Sequence, residues 1–168
     1  MTYVKNLYRF REIQKDEIPV MFAMIAQRIR WMDEQGIHQW NETDYETVYP
    51  LSYYEGHRQR GEVFVLEEIA TGQIVCAAVL KEEDDRWPDD EDAVFVHNLV
   101  APLDKKGVGR LFLHYAEDYA RQKGKPFFRL DSAIDNLPLT RYYEQLGFEA
   151  VGTCVDGLYI GTLRQKKL

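Results

Sequence analysis

The feature that most constrains the fold is a strand–turn–helix–strand unit in the second half of the chain. Residues 93–100, AVFVHNLV, have the apolar composition of a buried strand, and a turn with one proline and two glycines follows. From Val108 apolar residues recur at helical spacing until Gly124, and residues 127–131 form another strand-like run. Because such a unit packs with a right-handed crossover, the two strands are expected to be parallel in one sheet.

The remaining segments surround this unit without a repeat, a linker or a low-complexity tract. The predicted order is β-α-α-β-β-β-α-β-α-β-β, an α/β fold with a mixed sheet in a single domain over residues 1–168. Short turns at Gly72 and Gly157 predict antiparallel hairpins near both ends. The last strand is expected to be exposed, where it could pair with a second copy in a homodimer.

The negative charge is concentrated in one segment. The chain has 28 acidic and 21 basic residues, and residues 82–92, EEDDRWPDDED, hold eight of the acidic residues and one arginine. The rest of the chain is balanced and shows no basic face, which argues against a nucleic-acid partner. The acidic segment is interpreted either as a solvated loop or as a field that favours a cationic substrate.

Signals for targeting and for metal binding are missing from the sequence. No apolar run reaches the ~20 residues of a membrane helix, and residues 1–10 do not resemble a signal peptide. We therefore expect a cytoplasmic protein with no membrane partner. Cys76 and Cys154 indicate buried thiols, and neither they nor the four histidines have metal-site spacing, so no metal is expected.

The turn before the helix has the properties of a phosphate cradle. N–H groups at a helix N-terminus attract anions, and Gly107 and Gly109 let a pyrophosphate approach the main chain. Lys105, Lys106 and Arg110 add positive charge. The two glycines are equally compatible with a tight connection that binds nothing. A Walker loop is absent, and a dinucleotide fingerprint fits poorly because its third glycine is missing.

A second motif follows the next strand. Residues 136–148, NLPLTRYYEQLGF, combine Asn136 with an aromatic–Tyr–Glu sequence and a final Gly-Phe. Together with Gly107 and Gly109, this arrangement resembles the GNAT superfamily of acyl-CoA-dependent N-acyltransferases, whose signature is Gln/Arg-x-x-Gly-x-Gly/Ala after a central strand. The resemblance extends over the whole order of elements. Asp104 departs from it, because the family has Gln or Arg there, and Asp104 is left out of the site.

The resemblance implies where acetyl-CoA binds. In the family, two central parallel strands splay apart and hold the pantetheine arm, which here implies the backbone of Leu99 and Val100. The residues implied for the pyrophosphate are those of the turn: Lys105, Lys106, Gly107, Val108, Gly109 and Arg110. The implied reaction is direct transfer of the acetyl group to an amine, with a backbone N–H near Leu99 or Val100 stabilising the oxyanion.

Two residues of the second motif have alternative roles. Tyr143 matches the family's tyrosine that protonates the CoA thiolate, but it also lies on the apolar face of its helix and suits a core position. Asn136 would hydrogen-bond the pantetheine or cap its helix, and the two roles are compatible.

The sequence leaves the general base and the acceptor open. His97 on the central strand and His38 in the loop 36–40 are base candidates, since histidine is the usual proton acceptor near neutral pH. A water held by Glu82 or Glu83 is the alternative. The substrate-side candidates are Trp40, His38 and His97. Arg30, Trp31 and Tyr45 are further candidates, because in the fold that the resemblance implies the first two helices and the last hairpin frame the acceptor pocket.

The acceptor is expected to be an amine of a small molecule or a peptide. Two readings from other classes compete with this one. One is a non-catalytic acyl-CoA-binding regulatory module on the same fold, and the other is a nucleotide-binding protein that uses the same glycine turn.

Overall fold

The computed structural model describes residues 7–37 and 40–168, which form seven strands and five α-helices in the predicted order. The second predicted helix is divided at Pro50 into two. The strands are β1 (Tyr8–Glu12), β2 (Val63–Glu68), β3 (Ile74–Lys81), β4 (Ala93–Val100), β5 (Phe127–Ala133), β6 (Glu149–Asp156) and β7 (Tyr159–Lys167). The helices are α1 (Ile18–Gln35), α2 (Tyr45–Val48), α3 (Leu51–Gln59), α4 (Val108–Gln122) and α5 (Leu137–Gln145).

The strands form one mixed sheet in the order β1-β2-β3-β4-β5-β7-β6. β4 and β5 are parallel, as the crossover predicts, and all other neighbours are antiparallel. The β4–β5 register covers residues 93–95 against 127–129 and then stops. Beyond it the two strands separate, so residues 96–100 and 130–133 face each other across a gap. This is the splay expected at the centre of the sheet.

Apolar residues alternate along the strands and build a core on each face of the sheet. On β2, Phe64 and Leu66 face the side that is covered by α4 and α5. Val63 and Val65 face the opposite side, which is covered by α1 and α3. The period of two along the strand therefore matches a sheet buried on both sides.

The C-terminal hairpin corrects the expected sheet edge. β7 lies between β5 and β6, pairing with both, and is not the exposed strand. β6 is the edge, and nearly all of its residues are exposed. The expectation that the final strand could pair in a homodimer is therefore wrong about the strand, and a homodimer itself stays a prediction.

The acidic segment between β3 and β4 is a loop that is tied to the domain by ion pairs. Asp89 accepts hydrogen bonds from both terminal nitrogens of the buried Arg129, at 2.7 and 3.0 Å. Glu82 and Asp92 bind Lys125 at 2.9 and 2.6 Å. Because these carboxylates already have cationic partners, much of the segment's charge is neutralised locally.

Within the described residues, no helix is both long enough and apolar enough to cross a membrane. Cys76 and Cys154 are buried free thiols, as predicted. Burial raises the pKa of both thiols, to about 11 for Cys154, which keeps them protonated near neutral pH.

Candidate active site

A cavity of about 640 Å³ opens where β4 and β5 separate. Residues 96–101 of β4 and its extension line one side, and β5 contributes Leu130 and Asp131. The first turns of α4 and α5 bound one end, while the α1–α2 segment and the β6–β7 turn bound the other. One continuous space therefore joins the glycine turn to a polar and aromatic pocket.

The glycine turn starts α4 at the wall of this cavity. Gly107 is the N-cap with a φ of +78°, a left-handed conformation that a Cβ would strain. Val108 is buried in the core, so only its main chain is available to a ligand. Gly109 lines the cavity, and the N–H groups of a first helical turn have no partner inside the helix. The turn thus has the geometry of an anion site.

The three basic residues of the turn are placed differently. Lys105 lines the cavity, where its Nζ also lies 3.8 Å from a carboxylate oxygen of Glu68. Lys106 and Arg110 are exposed at the turn and do not line the cavity. A charge on Lys105 therefore acts inside the site, whereas the other two add to the field around its entrance.

Leu99 and Val100 border the gap in the sheet. Both line the cavity, and neither is paired with β5. The Val100 side chain packs in the core beneath α1, and Leu99 packs against the core on the other face. With their side chains committed to packing, these residues present their main chain to the gap.

Helix α5 brings the second motif to the same cavity. Asn136 is the N-cap, and its Oδ1 accepts a hydrogen bond from the Leu139 N–H at 3.2 Å, so the predicted cap is confirmed. Tyr143 is buried, with its ring 5.7 Å from that of Phe148. Its hydroxyl makes no hydrogen bond to any residue that the structure describes. Burial raises the pKa of Tyr143 well above its usual value, so the hydroxyl remains protonated near neutral pH.

His97 forms a dyad with a carboxylate of the acidic segment. Its Nε2 lies 2.7 Å from Oδ2 of Asp84, and both side chains are largely buried. Burial alone would raise the pKa of Asp84, but the hydrogen bond to His97 and the histidine charge hold it below its usual value. An ionised Asp84 favours the tautomer with hydrogen on Nε2. That tautomer leaves Nδ1 as a lone-pair acceptor with no partner among the described residues.

A second carboxylate, Asp131, lies beside the dyad but is engaged elsewhere. It accepts a hydrogen bond from the Tyr159 hydroxyl at 2.6 Å and contacts Arg86 at 3.3 Å. Ligand atoms of Asp84, His97 and Asp131 lie within 4.8 Å of one another, a spacing that a metal ion also uses. Since each carboxylate already accepts a hydrogen bond from the protein, we interpret the group as a hydrogen-bond network. The absence of a metal stays a prediction.

Arg86 links three segments of the chain at the end of the cavity that the β6–β7 turn bounds. Its Nη2 donates to Asp156 at 2.9 Å and to the Tyr49 hydroxyl at 3.1 Å. Its guanidinium lies 5.1 Å from the ring centre of Tyr159. The arginine therefore joins the β3–β4 loop to the segment after α2 and to the C-terminal hairpin, and its charge offsets carboxylates that would otherwise attract a cationic substrate.

Aromatic residues from the α1–α2 segment and from α2 onwards form another part of the cavity wall. Trp40 stacks on Tyr45 with ring centres 4.5 Å apart, and the Tyr49 ring packs against Tyr45 at a tilt, with ring centres 4.7 Å apart. Trp31 also lines the cavity. Of the predicted substrate-side residues, Trp40 and His97 thus lie at the cavity, and His38 falls outside the described residues.

Sequence reasoning did not single out Asp84 or Arg86. It named Glu82 and Glu83 as possible carboxylates for a catalytic water, but Glu82 binds Lys125 on the other side of the loop. Asp84 is the residue of the acidic segment that pairs with His97 in the dyad. In the sequence it is one of four consecutive acidic residues, and nothing in their pattern distinguishes it.

The fold is that of an acetyltransferase family, as comparison with known proteins shows. A family model for the acetyltransferase (GNAT) family matches residues 23–148. The chain therefore belongs to this family, as its resemblance implied. It is 24% identical over 146 residues to the curated protein "Uncharacterized N-acetyltransferase YesJ" of Bacillus subtilis, covering 82% of this chain and 79% of that protein.

Solved structures share the fold over almost the whole chain. A GNAT family acetyltransferase from Listeria monocytogenes superposes with a TM-score of 0.77 at 21% identity, covering 96% of this chain and 95% of that one. YncA from Salmonella typhimurium, a putative acetyltransferase solved with its cofactor acetyl-CoA, gives a TM-score of 0.65 at 21% identity, covering 96% and 94%. These likenesses support the fold.

Proposed function

We propose that this protein transfers the acetyl group of acetyl-CoA directly to an amine of a small molecule or a peptide. The main observation behind the proposal is one continuous cavity at the gap between β4 and β5. The glycine turn and His97 of the histidine–carboxylate dyad both lie at the wall of this cavity. Family membership supports acetyl-CoA as the donor. The dyad supports an acceptor that must lose a proton, as an amine does during acyl transfer.

Acetyl-CoA would be held mainly by the main chain. The pyrophosphate would bind the turn through the N–H groups of Gly107, Val108 and Gly109, with Lys105 beside them. The pantetheine arm would lie in the splay and pair with Leu99 and Val100 as an added strand does. Asn136 lines the same cavity and would contact the arm in addition to capping α5.

The transfer requires two proton movements, and the site has a residue for each. The amine nitrogen attacks the thioester carbonyl and forms the new C–N bond, while the developing oxyanion accepts a hydrogen bond from the main chain near Leu99 or Val100. Nδ1 of His97 takes the proton that the nitrogen loses. When the C–S bond breaks, the Tyr143 hydroxyl donates a proton to the departing thiolate, which leaves as CoA thiol. His97 then gives its proton to solvent and the Tyr143 phenolate takes one back from solvent, so both residues return to their starting states.

The first experiment separates this function from its two rivals. Thermal unfolding is measured with acetyl-CoA, ATP and NAD, because a ligand that binds the folded state raises its stability by mass action. We expect acetyl-CoA to raise the melting temperature and the two nucleotides to leave it unchanged. A panel of polyamines, aminoglycosides, amino acids and peptide N-termini is then assayed for release of CoA thiol.

Each rival has its own outcome in these assays. Stabilisation by ATP or NAD alone would establish the nucleotide-binding reading. Stabilisation by acetyl-CoA with no acetylated product from any amine would favour the non-catalytic acyl-CoA-binding module.

A glycine substitution tests where the pyrophosphate binds. Gly109→Ala would place a Cβ 3.6 Å from the Tyr142 hydroxyl, an ordinary contact, so the fold should be retained. The methyl group would stand on main chain that the pyrophosphate approaches, and we expect the Kd for acetyl-CoA to rise by about tenfold or more. Isothermal titration calorimetry measures this change.

Gly56→Ala is the matched control for that substitution. Gly56 lies in α3, and an added Cβ there would have its nearest contact at 3.9 Å, on the Arg60 side chain. The control should bind acetyl-CoA as the wild type does. Equal affinity for acetyl-CoA in Gly109→Ala and Gly56→Ala would show that the pyrophosphate does not bind at the turn.

A further inference from the structure

Asn98 has an unusual main-chain conformation for a residue inside a strand. Its φ is +59°, in the left-handed region, although it lies within β4 between His97 and Leu99. Asparagine tolerates this region better than most residues but still enters it at a cost in energy. A strained conformation inside a sheet persists only where surrounding contacts hold it.

The strain coincides with a break in the β3–β4 register. Val79 pairs with His97 and Ala77 pairs with Val100, so Asn98 and Leu99 together stand opposite a single residue of β3. Two residues opposite one define a β-bulge, which redirects the strand that carries it. The bulge lies immediately before Val100, at the level where β4 has already separated from β5.

The Asn98 side chain is clamped by two tyrosines, one from α2 and one from α3. Its Nδ2 donates to the Tyr45 hydroxyl, and its Oδ1 accepts from the Tyr53 hydroxyl at 3.1 Å. Asn98 is 8% exposed. Both ends of the amide are therefore satisfied, one by the first residue of α2 and one by α3.

Through these two hydrogen bonds, Asn98 links the aromatic wall of the cavity to the part of the β4 main chain that borders the gap. Tyr45 stacks on Trp40 in the aromatic wall, while Asn98 directly precedes the two residues whose main chain faces the gap. A glycine would adopt the same φ without strain, but it would supply neither hydrogen bond. The side chain is thus what connects the bulge to α2 and α3.

We propose that Asn98 is a positioning residue, held by Tyr45 and Tyr53, that sets the β4 bulge so that the main-chain N–H groups of Leu99 and Val100 meet the thioester carbonyl of acetyl-CoA. This inference rests on the proposed acetyl transfer. Asn98 touches neither reactant in it and acts through the two residues that follow. A donor misplaced by about 1 Å is enough to slow such a step by about 100-fold.

The decisive test uses Asn98→Gly, which keeps the φ but removes the clamp. We expect kcat to fall by about 10- to 100-fold while the KM for acetyl-CoA changes little, because an oxyanion donor acts mainly in the transition state. The infrared stretch of acetyl-CoA labelled with ¹³C at the thioester carbonyl reports hydrogen bonding to that oxygen directly. In the wild type the band should shift to lower frequency on binding, and in Asn98→Gly it should return towards its position in solution.

A second variant keeps the proposal testable if Asn98→Gly folds poorly. Tyr53→Phe removes one clamp bond without altering β4 and should lower kcat and move the carbonyl band in the same direction. Combined with Asn98→Gly it should add less than its separate effect, since both changes break one interaction. Tyr115→Phe is the control: Tyr115 packs on Phe10 on the opposite face of the sheet and should leave both readouts unchanged.

The outcomes separate this inference from the proposed function. If the wild type acetylates an amine, and kcat and the carbonyl band are the same in Asn98→Gly, the positioning role is overturned. If the wild type acetylates no amine, the proposed function fails, but the carbonyl band of bound acetyl-CoA still decides whether the clamp orients a donor.

Discussion

Replacing His97 with glutamine is expected to lower kcat for amine acetylation by about 10²- to 10⁴-fold, the usual contribution of a general base. Glutamine retains a side chain of similar reach but cannot take a proton at neutral pH. The acetyl-CoA Kd should remain close to that of the wild type, because the proposed contacts of acetyl-CoA are with the glycine turn and the main chain of Leu99 and Val100 and not with the His97 side chain. Steady-state kinetics and calorimetry measure the two quantities separately.

The pH profile distinguishes loss of a base from general damage to the site. In the wild type, kcat/KM should fall on the acidic side of the profile, as it does for any reaction that needs an unprotonated general base. In His97→Gln the rate should depend on the small fraction of acceptor that is already neutral, so kcat/KM should rise steadily with pH and approach the wild-type value at high pH. A variant that loses activity equally at every pH would contradict the role of base.

Asp84→Asn tests the second half of the dyad. An asparagine amide can accept from Nε2 but can also donate to it, which would place the hydrogen on Nδ1 and block the acceptor nitrogen. We expect a decrease in kcat comparable to that of His97→Gln, since loss of the orienting carboxylate costs about 10⁴ in the serine protease triad. His114→Gln is the control for both, because His114 lies half-exposed on α4 beside Asp118.

The sequence predicted the elements well where one physical signal dominated. β4 was predicted at 93–100 and is found there, because an apolar run with β-branched residues ends at a proline that cannot continue the ladder. α4 begins at Val108 as expected, since its apolar spacing changes from strand to helix at the glycine turn. The parallel β4–β5 pair followed from crossover handedness, which does not depend on side-chain detail.

The position of the last strand could not be read from the same signals. A hairpin pattern specifies that β6 and β7 are neighbours, but either member can lie against β5. The structure places β7 inside, with Leu163 buried, and leaves β6 exposed at the edge. The exposed strand was therefore assigned to the wrong member of the hairpin.

The sequence indicated that the residues predicted for the cofactor come together, but it did not indicate the His97–Asp84 dyad. Gly109 and Tyr143 lie in two separate motifs, and both residues line one cavity. Asp84 and His97 are 13 residues apart on a loop and a strand, and they meet only because the loop folds back over β4. Sequence periodicity also contains no information about the left-handed φ of Asn98, which depends on contacts with Tyr45 and Tyr53.

Tyr143→Phe is expected to lower kcat by about 10²-fold or more with little change in acetyl-CoA affinity, because it removes one proton donor and keeps the ring. The ring packs on Phe148 and Tyr142, so the core should be preserved and the melting temperature nearly unchanged. Burial raises the pKa of Tyr143, so the hydroxyl carries a proton near neutral pH but is a weaker acid than an ordinary phenol, and donation depends on the negative charge that develops on the departing sulfur. CoA release and thermal unfolding are measured on the same preparation.

Acyl donors with different leaving groups separate proton donation from a core role. A thioester whose thiol is more acidic than that of CoA leaves without a proton, so the deficit in Tyr143→Phe should shrink as the leaving thiol becomes more acidic. Damage to the core would lower the rate with every donor by the same factor. Tyr115→Phe, which removes a hydroxyl from the core around α4, should behave as the wild type with all donors. Turnover of Tyr143→Phe equal to that of the wild type with acetyl-CoA would assign this tyrosine to packing alone and leave the thiolate to be protonated by water.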